Sequence, residues 1–176
     1  MADSYNTFEG YHGTLQAQFK SINREGFHLS TKVNEWLGPG IYFFAEYENA
    51  VWWAQNQVRK ASKNGKVQKP FVIRVAIRYK DDQYLDLDLH SDRQQYEQLV
   101  AKLELKLKEQ KKKIPTFNSN AHRRCFYSKL LFRSTSVKIL SCTLFTGYDD
   151  FGVPYNRRQH CVAGNDYIEI LSGEVV

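Results

Sequence analysis

The sequence predicts an α+β fold, with strands that pair antiparallel and helices segregated from them. Two observations carry this. Strand-like segments recur towards both ends of the chain, and one of them, Phe71 to Tyr79, alternates: Phe71, Ile73, Val75 and Ile77 share one face, Arg74 and Arg78 the other. Between these segments lies an amphipathic helix, Ser91 to Lys113, on which Tyr96, Leu99, Val100, Leu103 and Leu107 form an apolar stripe. The chain has 176 residues, no internal repeat and no low-complexity linker, so residues 1–176 read as a single domain.

The elements follow in order. Phe8 to Thr14 reads as a strand running into a functional turn. Leu15 to Arg24 reads as a helix with Phe19 and Ile22 on one side, and Gly26 sits where a helix stop belongs. His28 to Glu35 is mostly polar or small and reads as a loop. Gly38-Pro39-Gly40 signals a turn into a short strand over Ile41 to Phe44. Asn49 to Lys63 places Ala50, Trp53, Ala54, Gln57 and Ala61 near one helical face. Tyr84 to Leu89 alternates and predicts a strand. Ser91 is the expected cap of the long helix, Pro115 closes it, and Lys106, Lys108, Lys111, Lys112 and Lys113 suit the negative end of its dipole. Ala121 to Ser134 predicts a helix, Val137 to Thr146 a strand, Gln159 to Ala163 a short strand, and Tyr167 to Val175 a terminal strand or strand pair.

Composition narrows the function. The chain is 42% hydrophobic and 14% aromatic, enough for a core and for ligand-stacking rings as well. A net charge of +6 favours nucleic acid, phosphates, an acidic protein or a membrane surface, and equally fits a solvated lysine-rich helix. Cys125, Cys142 and Cys161 are odd in number and lack Cys-x-x-Cys spacing. That predicts reduced thiols in a cytoplasmic protein, with no disulfide framework and no zinc site. Met1 to Gly10 is too polar for a signal peptide, and no apolar run approaches the roughly 20 residues of a membrane helix.

The chemistry concentrates in Tyr11-His12-Gly13-Thr14 and Leu37-Gly38-Pro39-Gly40-Ile41-Tyr42-Phe43. A strand ending in His-Gly presents one imidazole and an unobstructed main chain, which suits a planar carboxamide and a neighbouring hydroxyl. His-Gly alone fits an ordinary strand end better than a ligand site. Tyr42 follows the turn, and Trp53 comes eleven positions later on a predicted helix. Two such rings sandwich a flat heterocycle, at about 0.5–1.5 kcal/mol per stack, and a cationic ring gains more. Either Trp52 or Trp53 also packs the helix on the sheet.

Tyr11-His12-Gly13-Thr14, Ser21-Ile22, Gly26 and Gly40-Ile41-Tyr42-Phe43, in this order and spacing, resemble the NAD-binding core of ADP-ribosyltransferases. The match is to the His-Tyr-Glu branch of diphtheria-type toxins and poly(ADP-ribose) polymerases, and it covers roughly the first third of the chain. The resemblance implies a split antiparallel β-sheet core with flanking helices, and NAD+ as co-substrate without a metal. It implies that His12 binds the nicotinamide ribose, that the Gly13 main chain binds the amide, and that Tyr42 and Trp53 stack on nicotinamide. Thr14 and Ala50 complete the implied cofactor contacts.

The third motif of the branch is a Glu on a late strand. Arg158-Gln159-His160-Cys161-Val162-Ala163 matches it best and puts Gln159 in that position, so the implied catalytic set is His12, Tyr42 and Gln159. Gln accepts a hydrogen bond from a ribose hydroxyl but carries no charge against the developing cation, a loss on the order of 100-fold in rate. Three readings stand open. The enzyme works natively with Gln, the chain is an inactivated Glu-to-Gln form, or a carboxylate comes from Glu46, Glu169 or Glu174.

The acceptor implied by the resemblance is a macromolecule. The charge leans towards an RNA or DNA base, with Arg157, Arg158 and Tyr155 as acceptor contacts beside Arg74, Arg78, His122, Arg123 and Arg124. Tyr148 and Phe151 are further ring candidates. His28, His90, His122 and His160 are expected to be surface or packing residues. The size and the resemblance fit an intracellular toxin of a toxin–antitoxin or phage-defence system, with an antitoxin protein as partner and no membrane. The alternatives are a protein-modifying toxin and a non-catalytic NAD- or nucleic-acid-binding module of the same fold. An RNA 2′-phosphotransferase fits less well, because Tyr42 and Trp53 argue against it.

Overall fold

A computed structural model describes residues 4–33, 35–63, 65 and 67–176. Among these residues it contains seven strands and four α-helices: β1 (Asn6–Leu15), α1 (Gln16–Glu25), β2 (Ile41–Phe44), α2 (Tyr47–Ser62), β3 (Pro70–Tyr79), β4 (Tyr84–Asp86), α3 (His90–Glu109), α4 (Asn120–Ser134), β5 (Ile139–Tyr148), β6 (Pro154–Val162) and β7 (Ile168–Val175). The strands form one open sheet in the order β4-β5-β6-β2-β1-β3-β7. Only the β4–β5 pair is parallel, so the fold is α+β with a mixed, mostly antiparallel sheet. Among the described residues no helix is long and apolar enough to cross a membrane.

Both faces of the sheet are covered, which explains the burial pattern of β3. Phe71, Val72, Ile73, Val75, Ala76 and Ile77 are all buried, and only Arg74 and Arg78 are exposed. On one face Ile73, Val75 and Ile77 join Ile22 of α1, Phe27, Ile41 and Phe43. On the other, Val72 meets Phe44 and Ala50 of α2. A separate cluster of Leu85, Leu87, Leu140, Phe132 and Val137 fills the space near β4, β5 and α4. Each fully buried Ile or Val contributes about 2 kcal/mol. A one-residue slip of β3 would turn Arg74 and Arg78 inward, so this burial fixes its register.

Several boundaries differ from expectation. β4 ends at Asp86 instead of Leu89, because the next carboxylate is drawn across the sheet: Asp88 accepts from the Thr143 N–H at 3.0 Å and from Arg158 at 2.6 Å. Ser91 does not cap the long helix. Leu89 holds the cap position, Ser91 Oγ donates to Asp92 at 3.0 Å, and Asp92 in turn accepts the Asp86 N–H at 2.9 Å. The helix stops at Glu109, not Lys113, and Lys111 turns left-handed with φ 53°. β6 begins at Pro154, five residues before Gln159, because it forms a long hairpin with β5 that reaches the pair Tyr148↔Pro154.

Candidate functional site

β1 pairs with β3 over its whole length but meets β2 at a single position, Tyr11↔Phe44. Continued antiparallel pairing would set Gly13 opposite Tyr42. The strands part there instead, and a cavity of about 660 Å3 opens at the seam. That volume lies within the roughly 300–1,000 Å3 of small-molecule sites. His12 and Gly13 come from β1, Tyr42 and Phe44 from β2, Trp52 and Trp53 from α2, and Gln159 from β6. The loop before β2 adds His28, Ser30, Lys32, Glu35 and Trp36, and the β5–β6 hairpin adds Phe145, Thr146 and Gly147.

Gly13 is fixed by the approach of α2. A Cβ there would stand 2.2 Å from the Ala50 carbonyl oxygen and 2.9 Å from the Ala54 nitrogen. Ala50 is therefore fully buried behind Gly13 and does not line the cavity. Thr14 is also buried behind the wall, its hydroxyl donating to Gln18.

His12 bridges the seam. Its Nδ1 lies 2.9 Å from the Tyr42 carbonyl oxygen, which can only accept, so Nδ1 carries the proton. Burial holds the ring below its ordinary pKa against the opposing effect of that carbonyl, which keeps it neutral. Nε2 is then an acceptor suited to a ligand hydroxyl. Phe27 and Phe43 fix the ring edge-on, at centroid distances of 5.1 and 5.8 Å.

The Tyr42 hydroxyl is occupied internally. It accepts the Leu37 N–H at 2.9 Å and donates to the Gly38 carbonyl at 2.8 Å, which clamps the turn before β2. Gly38 has φ +115°, a conformation that favours glycine. Burial pushes the Tyr42 phenol far above its usual pKa, so what it offers a ligand is its ring. Trp53 is 36% exposed and stands 6.4 Å from Phe44 and 6.0 Å from Trp52, ring to ring.

Gln159 is half-buried on β6, paired with Phe44 on one side and Cys142 on the other. No group among the described residues hydrogen-bonds its amide. The next residue, His160, faces away into the core, where Ser141 Oγ lies 2.6 Å from Nδ1, and burial lowers its pKa to about 4.

Arg157 is 5% exposed and built into the wall. Its guanidinium lies 3.8 Å from the Trp52 ring centroid and 4.7 Å from that of Tyr155, and donates to Asn49 at 3.0 Å and to Thr146. Arg158 points to the far end of the sheet and pairs with Asp86 at 2.7 Å and Asp88 at 2.6 Å. Tyr155 remains 46% exposed on the hairpin. Arg74 pairs with Glu9, Arg123 with Glu104 at 3.6 Å, and Arg124 donates to the Trp36 carbonyl at 3.0 Å.

The three carboxylates considered beside Gln159 do not line the cavity. Glu46 accepts from Asn49 at 2.9 Å, Glu174 accepts from Tyr47 at 2.8 Å, and Glu169 lies in β7. The carboxylate that does line it is Glu35, held by Ser30 Oγ. Sequence reasoning missed Glu35, and also His28, because both sit in a polar loop without periodicity. The available signal was Trp36, a large ring directly after that loop. Among the described residues no group of three or more His, Cys, Asp or Glu gathers as a metal site.

No protein-family model matches the chain, and a search of curated proteins returns no match to it.

Proposed function

We propose that the chain is an NAD+-dependent mono-ADP-ribosyltransferase with an ADP-ribosyltransferase-like split sheet, acting on a macromolecular acceptor, with a nucleic-acid base favoured. The observation that carries this reading is convergence. His12, Gly13, Tyr42, Trp53 and Gln159 lie far apart in sequence on four elements, yet they line one cavity at a seam in the sheet. The residues fit the nicotinamide half of NAD+. Aromatic walls suit a flat cationic ring, Glu35 supplies a negative charge beside it, and neutral His12 offers an acceptor to a ribose hydroxyl.

In the transfer, the bond between nicotinamide and ribose C1″ breaks with its electron pair leaving on the nicotinamide nitrogen, and the acceptor nucleophile bonds to C1″ while losing its proton. The chain's contribution is to fix the two rings, exclude water on the sheet side and hold the ribose through His12 and Gln159. Gln159 orients a hydroxyl but adds no charge. A cytoplasmic toxin restrained by an antitoxin protein fits this chemistry, and a protein acceptor is the alternative. A second reading, a binding module that holds NAD+ without transfer, is favoured by one observation: the amide of Gln159 where a carboxylate would act.

The test is incubation with labelled NAD+ and cell extract, followed by separation into protein, RNA and DNA. Label is expected in nucleic acid, with Gln159→Glu raising the rate on the order of 100-fold. Label in no fraction for either form overturns the transferase reading, and retained NAD+ binding in that case selects the binding module.

A further inference from the structure

A second depression, of about 530 Å3, adjoins the cavity and shares Leu29 and Lys32 with it. One side is a stripe of α4: His122, Phe126, Lys129 and Arg133 recur at helical spacing and therefore share a face. Lys129 and Arg133 are exposed and four residues apart, and among the described residues neither has an ion-pair or hydrogen-bond partner for its side chain. Like charges at this spacing destabilise a helix, so the pair has no internal justification. Lys138, just before β5, closes the groove, its ammonium group donating to the carbonyls of Phe132 and Thr135. Asp166 is the one carboxylate in the lining.

We propose that this groove binds the phosphodiester backbone of a single-stranded nucleic acid, which crosses Lys32 to present a base at the cavity mouth. Backbone binding needs a cluster of cations that meets the phosphates, and Lys32, Lys129, Arg133 and Lys138 all line this one depression. At the mouth, Trp36 and Phe145 are each 48% exposed and offer stacking faces. A base within a duplex is stacked and paired and would have to be extruded before it could enter, so an unpaired strand is the fitting form. The delivery of a base rests on the transferase reading of the cavity, whereas strand binding in the groove does not.

The test is fluorescence anisotropy with labelled 12-nucleotide oligonucleotides, RNA and DNA, single-stranded and duplex, without NAD+. Single strands are expected to bind more tightly than duplex of the same sequence. Lys129→Glu with Arg133→Glu should weaken binding at least about 10-fold and lower the slope of log affinity against log salt by about 1–2. Lys129→Ala with Arg133→Ala should act in the same direction and less. Lys106→Glu with Lys108→Glu makes the same charge change at the end of α3 and should leave affinity within about 2-fold, with melting curves confirming that all variants fold. Equal losses for both reversals, duplex binding as tight as single-strand binding, or displacement of the oligonucleotide by polyglutamate at equal charge would each overturn the groove. Strand binding without NAD+ turnover by either this chain or its Gln159→Glu form would remove the transferase reading alone. Turnover of NAD+ onto protein with no strand binding would remove the groove and the nucleic-acid acceptor and leave the transferase reading standing.

Discussion

The cavity has two unlike walls. The strand wall, His12, Gly13 and Tyr42, is locked by contacts that leave little choice: α2 fits only against a glycine, the His12 proton is committed to the Tyr42 carbonyl, and the Tyr42 hydroxyl has two main-chain partners. The facing wall is a polar loop and a hairpin whose outer rings stand in solvent, with Phe151 92% and Tyr148 66% exposed. The first wall presents fixed geometry and the second presents surface. Under the proposed transferase reading, the co-substrate recognised the same way each time belongs against the first, and the acceptor against the second.

The largest effect that could break this contrast is Gly13→Ala. A methyl group 2.2 Å from a backbone oxygen forces α2 off the sheet, at about 3 kcal/mol, read as a clear fall in the urea midpoint. An unchanged midpoint would mean that the wall is not locked. Next comes acid. His160 has its pKa lowered from 6.5 to about 4 when folded, so the stability tied to its neutral form is present above pH 6.5 and lost as pH falls towards 4. The loss is on the order of 3 kcal/mol. Thermal melts across that window should show it, and His160→Asn should flatten the profile without abolishing it, because His12 is shifted in the same direction.

Tyr42→Phe should cost about 2 kcal/mol, since it strands the Leu37 N–H and the Gly38 carbonyl, while leaving the stacking ring in place. Loss of affinity for NAD+ without loss of stability would show instead that the hydroxyl serves the ligand. On the facing wall, Glu35→Gln should reduce the preference for 1-methylnicotinamide, a cation, over neutral nicotinamide by about 2- to 5-fold in tryptophan-fluorescence titrations. The smallest effect belongs to Phe151→Ser, which should change stability by less than about 0.5 kcal/mol. A larger change would mean that the hairpin tip is packed and not presented.

The locked wall is also the part that could be read from the sequence. Glycine at a close approach, a Gly-Pro-Gly turn and rings at fixed spacing are local signals, and they placed β1, α1, β2 and α2 within two residues of their observed bounds. Gln159 and Trp53, which the family resemblance singled out, line the same cavity. What escaped depended on distant partners. Asp88 leaves the β4 path to meet Thr143 and Arg158, and Arg157 turns inward because Trp52, Tyr155 and Asn49 meet it there, none of which periodicity can anticipate. Glu35 escaped because a loop has no repeating pattern in which one carboxylate stands out.

The single-point contact between β1 and β2 has a further consequence. A sheet that offers main-chain donors and acceptors to a ligand must leave some of them without a strand partner, and at an outer edge such groups invite another chain to add itself. Here the gap is internal, bounded on both sides by strands of the same sheet and backed by α2. A small molecule can enter it, but a passing β-strand cannot. An opening placed here exposes main-chain groups to a small molecule without offering them to an added strand.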